Sequence, residues 1–290
     1  MSVGVTVRDT DRTWALIAWH PAPVVQIHVV SDVHGAADAL VGSDAGADLF
    51  VCLGDLILYL DYEDPTQGIY AELFGEQHAR EYIQARTAGR FEQARELSAT
   101  AWAGIGIVDP SDRRAAMESH IRRQYGQLFT AMPEPAFLTY GNVDLPAMWP
   151  EFLKPGHQVL DGQVVEFAGL RLGFVGGGLL SPMRTPYELD PEVYAETFAQ
   201  LGPVDVLFTH IPPKLPELNY DVIARRFETG SSAINEYIEQ VQPQFHLFGH
   251  VHQPLHARAR IGKTECINVG HFNARKKPFV LTVEPGDRCG

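Results

Sequence analysis

Residues 24–35, VVQIHVVSDVHG, decide how the rest of the chain is interpreted. The β-branched apolar run predicts a buried strand that ends on Ser31, Asp32 and His34. Asp32 and His34 stand two residues apart, so both side chains project to the same side if the chain stays extended. Open α/β sheets keep their sites at the carboxyl ends of strands. The pair is therefore a candidate half of a metal site, although a capped turn is the commoner use of an Asp-x-His triplet.

Length and composition limit the class of protein. The 290 residues are enough for one large domain or two smaller ones, and 45% hydrophobic with 20% charged residues is ordinary for a globular chain. No apolar run reaches the roughly 18 residues of a membrane-spanning helix. Charged residues interrupt the hydrophobic stretches near the N-terminus, so no signal-peptide core is found there. We expect a cytoplasmic protein with no membrane partner.

Cysteine count and net charge add two further expectations. Cys52, Cys266 and Cys289 are scattered and odd in number, which favours reduced thiols over a disulfide framework. A formal net charge of −13 opposes non-specific binding of nucleic acid, and the chain has no basic stripe, so a nuclease is disfavoured. A nucleotide substrate stays open, because a bound metal ion can dominate the local field.

A second strand repeats the pattern of the first. Residues 48–53 are apolar and are followed by Gly54 and Asp55, and residues 36–41 between the two strands predict a short helix. Strand, helix and strand in this order predict a parallel pair. Asp32 and Asp55 are then expected at the same edge of the sheet.

The chain changes character over residues 60–132. Residues 72–98 and 111–130 are rich in Ala, Glu, Gln and Arg at helical spacing. This helical insertion within a single domain of residues 1–290 is open to three interpretations, as inert scaffold, as a surface for homo-oligomers, or as a cap. We favour a cap that shapes substrate choice, because a loop that leaves the carboxyl end of a strand starts beside the site.

The remaining elements predict two sheets. Residues 1–23 suggest an extra edge strand or arm, residues 157–160 and 163–167 a hairpin-like pair, and the last three strands complete a second sheet. The other predicted strands are 136–140, 171–175, 204–209, 245–248, 256–261, 265–269 and 278–283, and the helices are 191–201 and 231–241. The triple glycine 176–178 is a tight connection or, alternatively, brings the Gly177 backbone to a substrate phosphate with help from Arg184.

Polar side chains follow these strands one after another. A single buried histidine is usually structural, but repetition at successive strand ends indicates a shared site. Carboxylate, amide and imidazole groups together suit Mn, Fe, Zn, Ni or Co. Their number is too large for one ion and suffices for two divalent ions that share Asp55. The candidate ligands are Asp32, His34, Asp55, Asn142, His210, His250 and His252.

These motifs resemble the calcineurin-like metallophosphoesterases, in a bacterial-type form. DVH begins at Asp32, GD ends at Asp55, GNVD contains Asn142, a histidine follows a strand at His210, and GHVH ends at His252. The resemblance covers residues 25–283 without the insertion and implies a four-layer αββα sandwich, an α/β fold of two mixed β-sheets flanked by helices. It implies that Asp32, His34 and His252 bind one metal ion, that Asn142, His210 and His250 bind the other, and that Asp55 bridges them.

The resemblance also implies a reaction. Two metal ions about 3.5–4 Å apart lower the pKa of a bridging water, so that the resulting hydroxide attacks phosphorus, and no serine or cysteine nucleophile is required. We expect an enzyme, a phosphoric ester hydrolase acting on a phosphodiester or nucleotide-like small molecule. Asp55 and Asn142 are its expected catalytic residues, with Asp144 in support.

One position departs from the family pattern. Most members read GNH followed by Asp or Glu, and that histidine is thought to protonate the leaving group, but here the position is Val143. The alternative function is therefore a metal-binding interaction or regulatory protein with little activity. A substitute proton donor could come from His271, His78 or His120, which the sequence suggests are surface residues.

Overall fold

The computed structural model describes residues 24–284, together with the backbone of residues 5–7 and 15–17. The predicted arm falls mostly outside the described residues, as does Cys289. The strands in chain order are β1 (Val5–Val7), β2 (Ala15–Ile17), β3 (Val25–Val30), β4 (Leu49–Cys52), β5 (Ala136–Leu138), β6 (His157–Val159), β7 (Gln163–Phe167), β8 (Leu170–Val175), β9 (Gly178–Leu179), β10 (Glu188–Leu189), β11 (Val206–Thr209), β12 (Tyr220–Asp221), β13 (Arg226–Phe227), β14 (Phe245–Phe248), β15 (Arg258–Ile261), β16 (Thr264–Asn268) and β17 (Phe279–Val283).

Helices lie between and around these strands. None of the described helices has both the length and the hydropathy that crossing a bilayer requires. The helices are α1 (Ala37–Leu40), α2 (Ile69–Phe74), α3 (Glu76–Thr87), α4 (Phe91–Gly104), α5 (Pro110–Ala131), α6 (Pro191–Leu201), α7 (Pro216–Asn219), α8 (Ser232–Val241) and α9 (Phe272–Arg275), and a 3-10 helix covers Pro146–Glu151.

Two mixed sheets form the centre of the molecule. The first has the order β17-β3-β4-β5-β6, and all its pairs are parallel except the antiparallel pair of β17 with β3. The second has the order β15-β16-β14-β11-β8-β7, with a parallel centre and antiparallel strands at both edges. The carboxyl ends of β3, β4 and β5 therefore share one edge, and so do those of β8, β11, β14 and β16.

The sheets pack face to face, and each has helices on its outer face. Along β3, Ile27 and Val29 point into the core between the sheets, where Phe174 and Phe208 stack with ring centroids 4.9 Å apart. Full burial of a side chain of this size contributes about 1.5–3 kcal/mol. The alternate residues of the first sheet pack outward, for example Phe50 of β4 against α5. The second sheet is covered by α6 and α8. The predicted α/β sandwich of two mixed sheets flanked by helices is confirmed.

Two strand predictions are wrong in their pairing. β6 and β7 do not form a hairpin, because β6 pairs with β5 in the first sheet and β7 pairs with β8 in the second. The last strand, β17, joins β3 in the first sheet instead of completing the second. Periodicity shows that a segment is extended and half-buried, but not which of two equally apolar sheet edges it joins.

Four helices, α2 to α5, lie between β4 and β5. The predicted helical stretch 72–98 is divided, because Gly75 and Gly89 adopt φ angles of 83° and 69°, which no helix contains. Aromatic side chains hold the pieces together, and Tyr70 and Phe74 pack with Trp102 in a small cluster. α5 instead packs on the first sheet, so it also forms part of the outer helical layer.

Candidate metal centre

All the predicted ligands lie together at the carboxyl ends of β3, β4, β11 and β14 and in the loop after β5. Ligand atoms of Asp32, His34 and Asp55 lie within 4.8 Å of one another, and so do those of Asp55, His210 and His250. Such short separations between donor atoms match the coordination of one small ion by each group. The carboxylate, amide and imidazole donors fit a borderline divalent metal. We name the two sides by one ligand each: the Asn142 half holds Asn142, His210 and His250, and the His252 half holds Asp32, His34 and His252.

Unfavourable backbone conformations mark the site. Asp32, His34, Asp55 and His250 adopt φ angles of 57°, 39°, 53° and 65°, in the left-handed region that residues with a Cβ seldom occupy. Each costs of order 1–3 kcal/mol and persists only where the surrounding structure enforces it. Strain at four predicted ligands supports a functional role for these loops.

Close backbone packing joins the loops after β4 and β5. A Cβ on Gly54 would lie 1.8 Å from the backbone nitrogen of Gly141, and Gly54 has a φ angle of 91°. A Cβ on Gly141 would lie 2.1 Å from Oδ1 of Asp55. Both positions therefore require glycine, and this contact brings Asp55 beside Asn142.

In the Asn142 half, two imidazole nitrogens lie beside the amide oxygen of Asn142. Nε2 of His210 and Nδ1 of His250 each lie 2.9 Å from this oxygen. The amide nitrogen of Asn142 donates to the Thr185 hydroxyl at 2.9 Å, and that hydroxyl donates to Glu188 at 2.7 Å. This chain of hydrogen bonds fixes the amide with its oxygen toward the imidazoles, as a metal ligand requires.

Backbone carbonyls orient two of the imidazoles. Nδ1 of His34 lies 3.1 Å from the carbonyl oxygen of Ile57, and Nδ1 of His210 lies 3.0 Å from that of Leu53. A carbonyl oxygen only accepts, so Nδ1 carries the hydrogen in both rings. Nε2 is then the nitrogen that faces the site in both residues, and it can bind a metal ion once the ring is neutral.

The His252 half is more open than the other. Nε2 of His252 lies 3.2 Å from Nε2 of His34 and 3.6 Å from Oδ1 of Asp32. The side chain of His252 is 38% exposed and that of His34 13%, whereas His210 is fully buried. Asp32 is also buried, and its two oxygens accept from the backbone N–H of His250 at 3.2 and 3.0 Å.

Asp55 lies between the halves. Its Oδ2 is 3.4 Å from Nε2 of His210 and 3.9 Å from Nε2 of His34. Its Oδ1 accepts from the backbone N–H of Val143 at 2.9 Å. The two carboxylate oxygens therefore have different roles: one faces the donor atoms of both halves, and the other fixes the orientation of the group.

Burial and charge shift the titration of these groups in opposite directions. Burial opposes ionisation of Asp32 and Asp55, but the imidazole of His252 for the first and of His210 for the second outweighs it, so the pKa of each carboxyl is lowered. Burial likewise lowers the pKa of His210, but Asp55 reverses the effect and raises this pKa to about 9. Metal binding at this site must therefore displace a proton.

Asp144 lies behind the ligands and is fully buried. Its Oδ2 accepts from the backbone N–H groups of Asp55 and Gly141, both at 2.8 Å, and its Oδ1 accepts from Leu56 N–H at 3.1 Å and from the Tyr125 hydroxyl at 3.3 Å. Burial, with the charge of Asp55, raises the pKa of Asp144 to about 7. The carboxyl thus connects the two ligand loops, and a supporting role stays a prediction.

Val143 contributes only its backbone to the site. Its N–H donates to Asp55, and its side chain packs against the apolar cluster beneath the first sheet. It cannot protonate a leaving group.

The predicted substrate-binding residues have different surroundings. The Gly177 N–H donates to the carbonyl oxygen of Tyr140 at 2.7 Å, and its neighbours Gly176 and Gly178 donate to Asp161 and Tyr187. These bonds suit the tight connection that the sequence also allows, and a phosphate-binding role of Gly177 stays a prediction. Arg184 is exposed on the loop that also carries Thr185, and its role stays a prediction.

One histidine that the sequence suggests is a surface residue lies at the site instead. His271 is not a surface residue: it is partly buried, its ring stacks on His252 with centroids 3.9 Å apart, and it lies 5.6 Å from the ring of His34. The sequence did contain a signal for a position at the site, because His271 follows β16 as the predicted ligands follow their own strands. His120 instead pairs with Glu72 within the insertion, and His78 is partly buried in α3.

Comparison with known proteins gives similarity of structure alone. No family model matches the chain, and no curated protein matches it. Among solved structures, the TT1561 protein of Thermus thermophilus is 15% identical over 91% of this chain and 100% of that chain, with a TM-score of 0.49. A candidate 5'-nucleotidase of Staphylococcus aureus, solved in complex with alpha-ketoglutarate, is 13% identical over 91% of this chain and 55% of that chain, with a TM-score of 0.40. Values this low support no functional conclusion, so the proposals below rest on the geometry of the site.

Proposed function

We propose that this chain is a phosphoesterase that uses two divalent metal ions to hydrolyse a phosphodiester or nucleotide-like small molecule. The observation that carries the proposal is the position of Asp55. One oxygen of this single carboxylate lies within 3.9 Å of an imidazole nitrogen of each half. Each half on its own has three further donors, so a shared carboxylate completes two sites with no additional residue.

The chain's own side chains would hold the ions in fixed positions. Asn142, His210 and His250 would bind one ion and Asp32, His34 and His252 the other, with Asp55 shared between them. Two such ions supply activation of a water molecule and neutralisation of charge on a phosphate group. Metals of the Mn, Fe, Zn, Ni and Co group match the mixed nitrogen and oxygen donors.

The protein itself offers little help to the leaving group. General acid assistance typically contributes 10²–10⁴-fold, and Val143 has no proton to give. Both oxygens of Asp144 are occupied by backbone N–H groups, so this carboxyl is not directed at a substrate either. We therefore expect the fastest turnover for esters whose leaving groups depart without protonation.

We further propose that the insertion 60–132, within one domain of residues 1–290, acts as a cap over the site. The loop that leads into it is fixed by Gln124 of α5, which bonds the N–H and carbonyl of Leu58 at 2.9 and 3.2 Å. Arg86 of α3 reaches across to the sulfur of Met183 at 2.6 Å, in the loop that carries Thr185. Nε of Arg86 has no hydrogen-bond partner among residues 24–284, and the positive charge of this side chain suits an anionic substrate.

The decisive experiment is a panel of chromogenic phosphate monoesters and diesters assayed with Mn²⁺, Ni²⁺ and Zn²⁺. We expect metal-dependent turnover that Asp55→Asn lowers by about 10³-fold, the scale of removing one group that stabilises the transition state. Asp38→Asn, the same change at an exposed residue of α1, is the matched control and should have no effect. Turnover no higher than that of Asp55→Asn would refute the enzyme, and retention of two metals in that case would favour the interaction protein.

The cap is tested on the same panel with Arg86→Met, which keeps the length of the side chain and removes the charge. We expect KM to rise about tenfold, as for loss of a charge-assisted hydrogen bond, with kcat unchanged. Unchanged KM for every ester would contradict a role of Arg86 in substrate binding.

A further inference from the structure

Three imidazoles, not two, meet in the His252 half. One nitrogen each of His34, His252 and His271 lies within 4.8 Å of the others. The rings of His252 and His271 are nearly parallel, with an interplanar angle of 14°, whereas His271 meets His34 at 79°. One nitrogen of each ring therefore borders the same small volume.

The turn that carries His271 is fixed to both segments that carry the other ligands. The next residue, Phe272, donates its N–H to the carbonyl oxygen of Ser31, and Asn273 donates to that of Asp32, at 3.0 and 3.1 Å. On the other side, the Asn268 amide donates to the carbonyl oxygens of Gly249 and Val251 at 3.3 and 2.9 Å. His271 is therefore held in place by the same loops as Asp32 and His252.

One nitrogen of His271 has no bonding partner within the described part of the chain. This nitrogen, Nε2, is buried and takes part in no hydrogen bond with a described residue. An unpaired buried polar atom is costly, so a native structure seldom contains one without a reason. A metal ion between the three rings would supply the missing partner.

We propose that His271 is a further metal ligand of the His252 half, which gives that half three imidazoles. This inference rests on the proposed two-metal function and extends it to the choice of metal. Imidazole-rich sites favour Zn, Co, Ni and Fe, whereas Mn and Mg prefer oxygen donors. The His252 half should therefore select a nitrogen-binding ion, and the Asn142 half, with its amide oxygen, should be less selective.

The test measures binding of Co²⁺ to the metal-free full-length chain, by titration with visible absorption and by metal analysis. His271→Phe keeps a flat ring that can stack on His252 and removes the nitrogen. We expect the wild type to bind two ions per chain and the variant to bind one of them about 10–100-fold more weakly, with a changed absorption spectrum. Competition should show that the preference of this site for Zn²⁺ over Mn²⁺ falls about tenfold. His120→Phe, an imidazole change within the insertion, is the matched control.

Each outcome decides between the alternatives. Two ions bound by His271→Phe with wild-type affinity, spectrum and selectivity would overturn the inference and leave His271 as a stacking partner of His252. A wild type that binds no Co²⁺ would overturn the proposed two-metal function itself. If His271→Phe does not fold, judged by circular dichroism, His271→Leu, whose apolar side chain has no donor atom, is measured instead and has to meet the same criteria.

Discussion

The two halves of the candidate metal centre use similar donors but differ in how far those donors are exposed. In the Asn142 half, hydrogen bonds to Leu53 and Thr185 fix His210 and Asn142, and His210 is fully buried. In the His252 half, a hydrogen bond to Ile57 fixes His34 in the same way, whereas the side chain of His252 is 38% exposed and packs on the rings of its neighbours. The two halves therefore differ mainly in the exposure of one imidazole.

This difference indicates from which side a substrate would enter and which of the two ions would exchange with solvent. A site built from fixed, buried donors is preorganised and releases its ion slowly, whereas a site with an exposed edge is accessible to ligands. We therefore expect the phosphate to approach over the His252 half. The following predictions test this division, beginning with the largest expected effect.

The largest effect should come from giving the site the proton donor that it lacks. Val143→His adds an imidazole to the loop of Asn142, and we expect this polar ring to leave the apolar cluster for the site. The value of kcat for alkyl phosphodiesters should then rise by about 10²-fold, the lower end of general acid catalysis. Esters with a p-nitrophenyl leaving group need no protonation and should change little. Val143→Asn is the control of similar polarity without a transferable proton. Equal gains for both classes of ester would contradict a missing general acid.

The next effect should distinguish the halves directly. Thr185→Val removes the hydroxyl that orients the Asn142 amide while keeping the shape of the side chain. Loss of such a supporting hydrogen bond typically weakens metal binding by about 10–100-fold, and we expect this loss for one of two ions in a Co²⁺ titration. Thr185→Ser keeps the hydroxyl and should bind both ions as the wild type does. Identical titrations for the valine and serine variants would show that the hydroxyl does not matter.

The smallest effect concerns the strand beneath the Asn142 half. His246 of β14 is fully buried, its Nε2 lies 2.8 Å from the Thr209 hydroxyl, and burial lowers its pKa to about 3. Because the pKa of the unfolded chain is about 6.5, the folded state disfavours protonation. The stability due to neutral His246 is nearly complete above about pH 7.5 and is lost as the pH falls through about 6.5, by about 1.4 kcal/mol at pH 5.5.

Urea unfolding of the metal-free protein at about pH 7.5 and pH 5.5 measures this loss. His246→Gln has no titrating group, so its stability should fall by about 1.4 kcal/mol less between these pH values than that of the wild type. The other histidines are common to both proteins and cancel in the comparison. Parallel pH dependence of wild type and variant would refute the assignment.

The parallel pairing of the first strands and the polar residues that follow each strand could be predicted from the sequence. Both faces of β3 and β4 are buried, so these strands appear in the sequence as nearly continuous apolar runs. The glycines beside Asp55 and Asn142 mark the sharp loops that follow. Because parallel strands end at a common edge, candidate ligands far apart in the chain could be predicted to meet. The sandwich of two mixed sheets was implied by the resemblance that the motifs carry, and the order of the predicted strands agrees with it.

The pairing of some strands and the surroundings of some site residues depend on contacts between distant segments, and these could be established only from the three-dimensional structure. The partners of β6, β7 and β17 were settled by which sheet edge each strand could complete, and this leaves no periodic trace in the sequence. The Gly177 amide is bonded to Tyr140, and His271 stacks on His252, because neighbouring loops fold over these residues. The order of residues along a strand indicates which side chains reach the site, but only packing in three dimensions determines which donor atoms remain free to bind there.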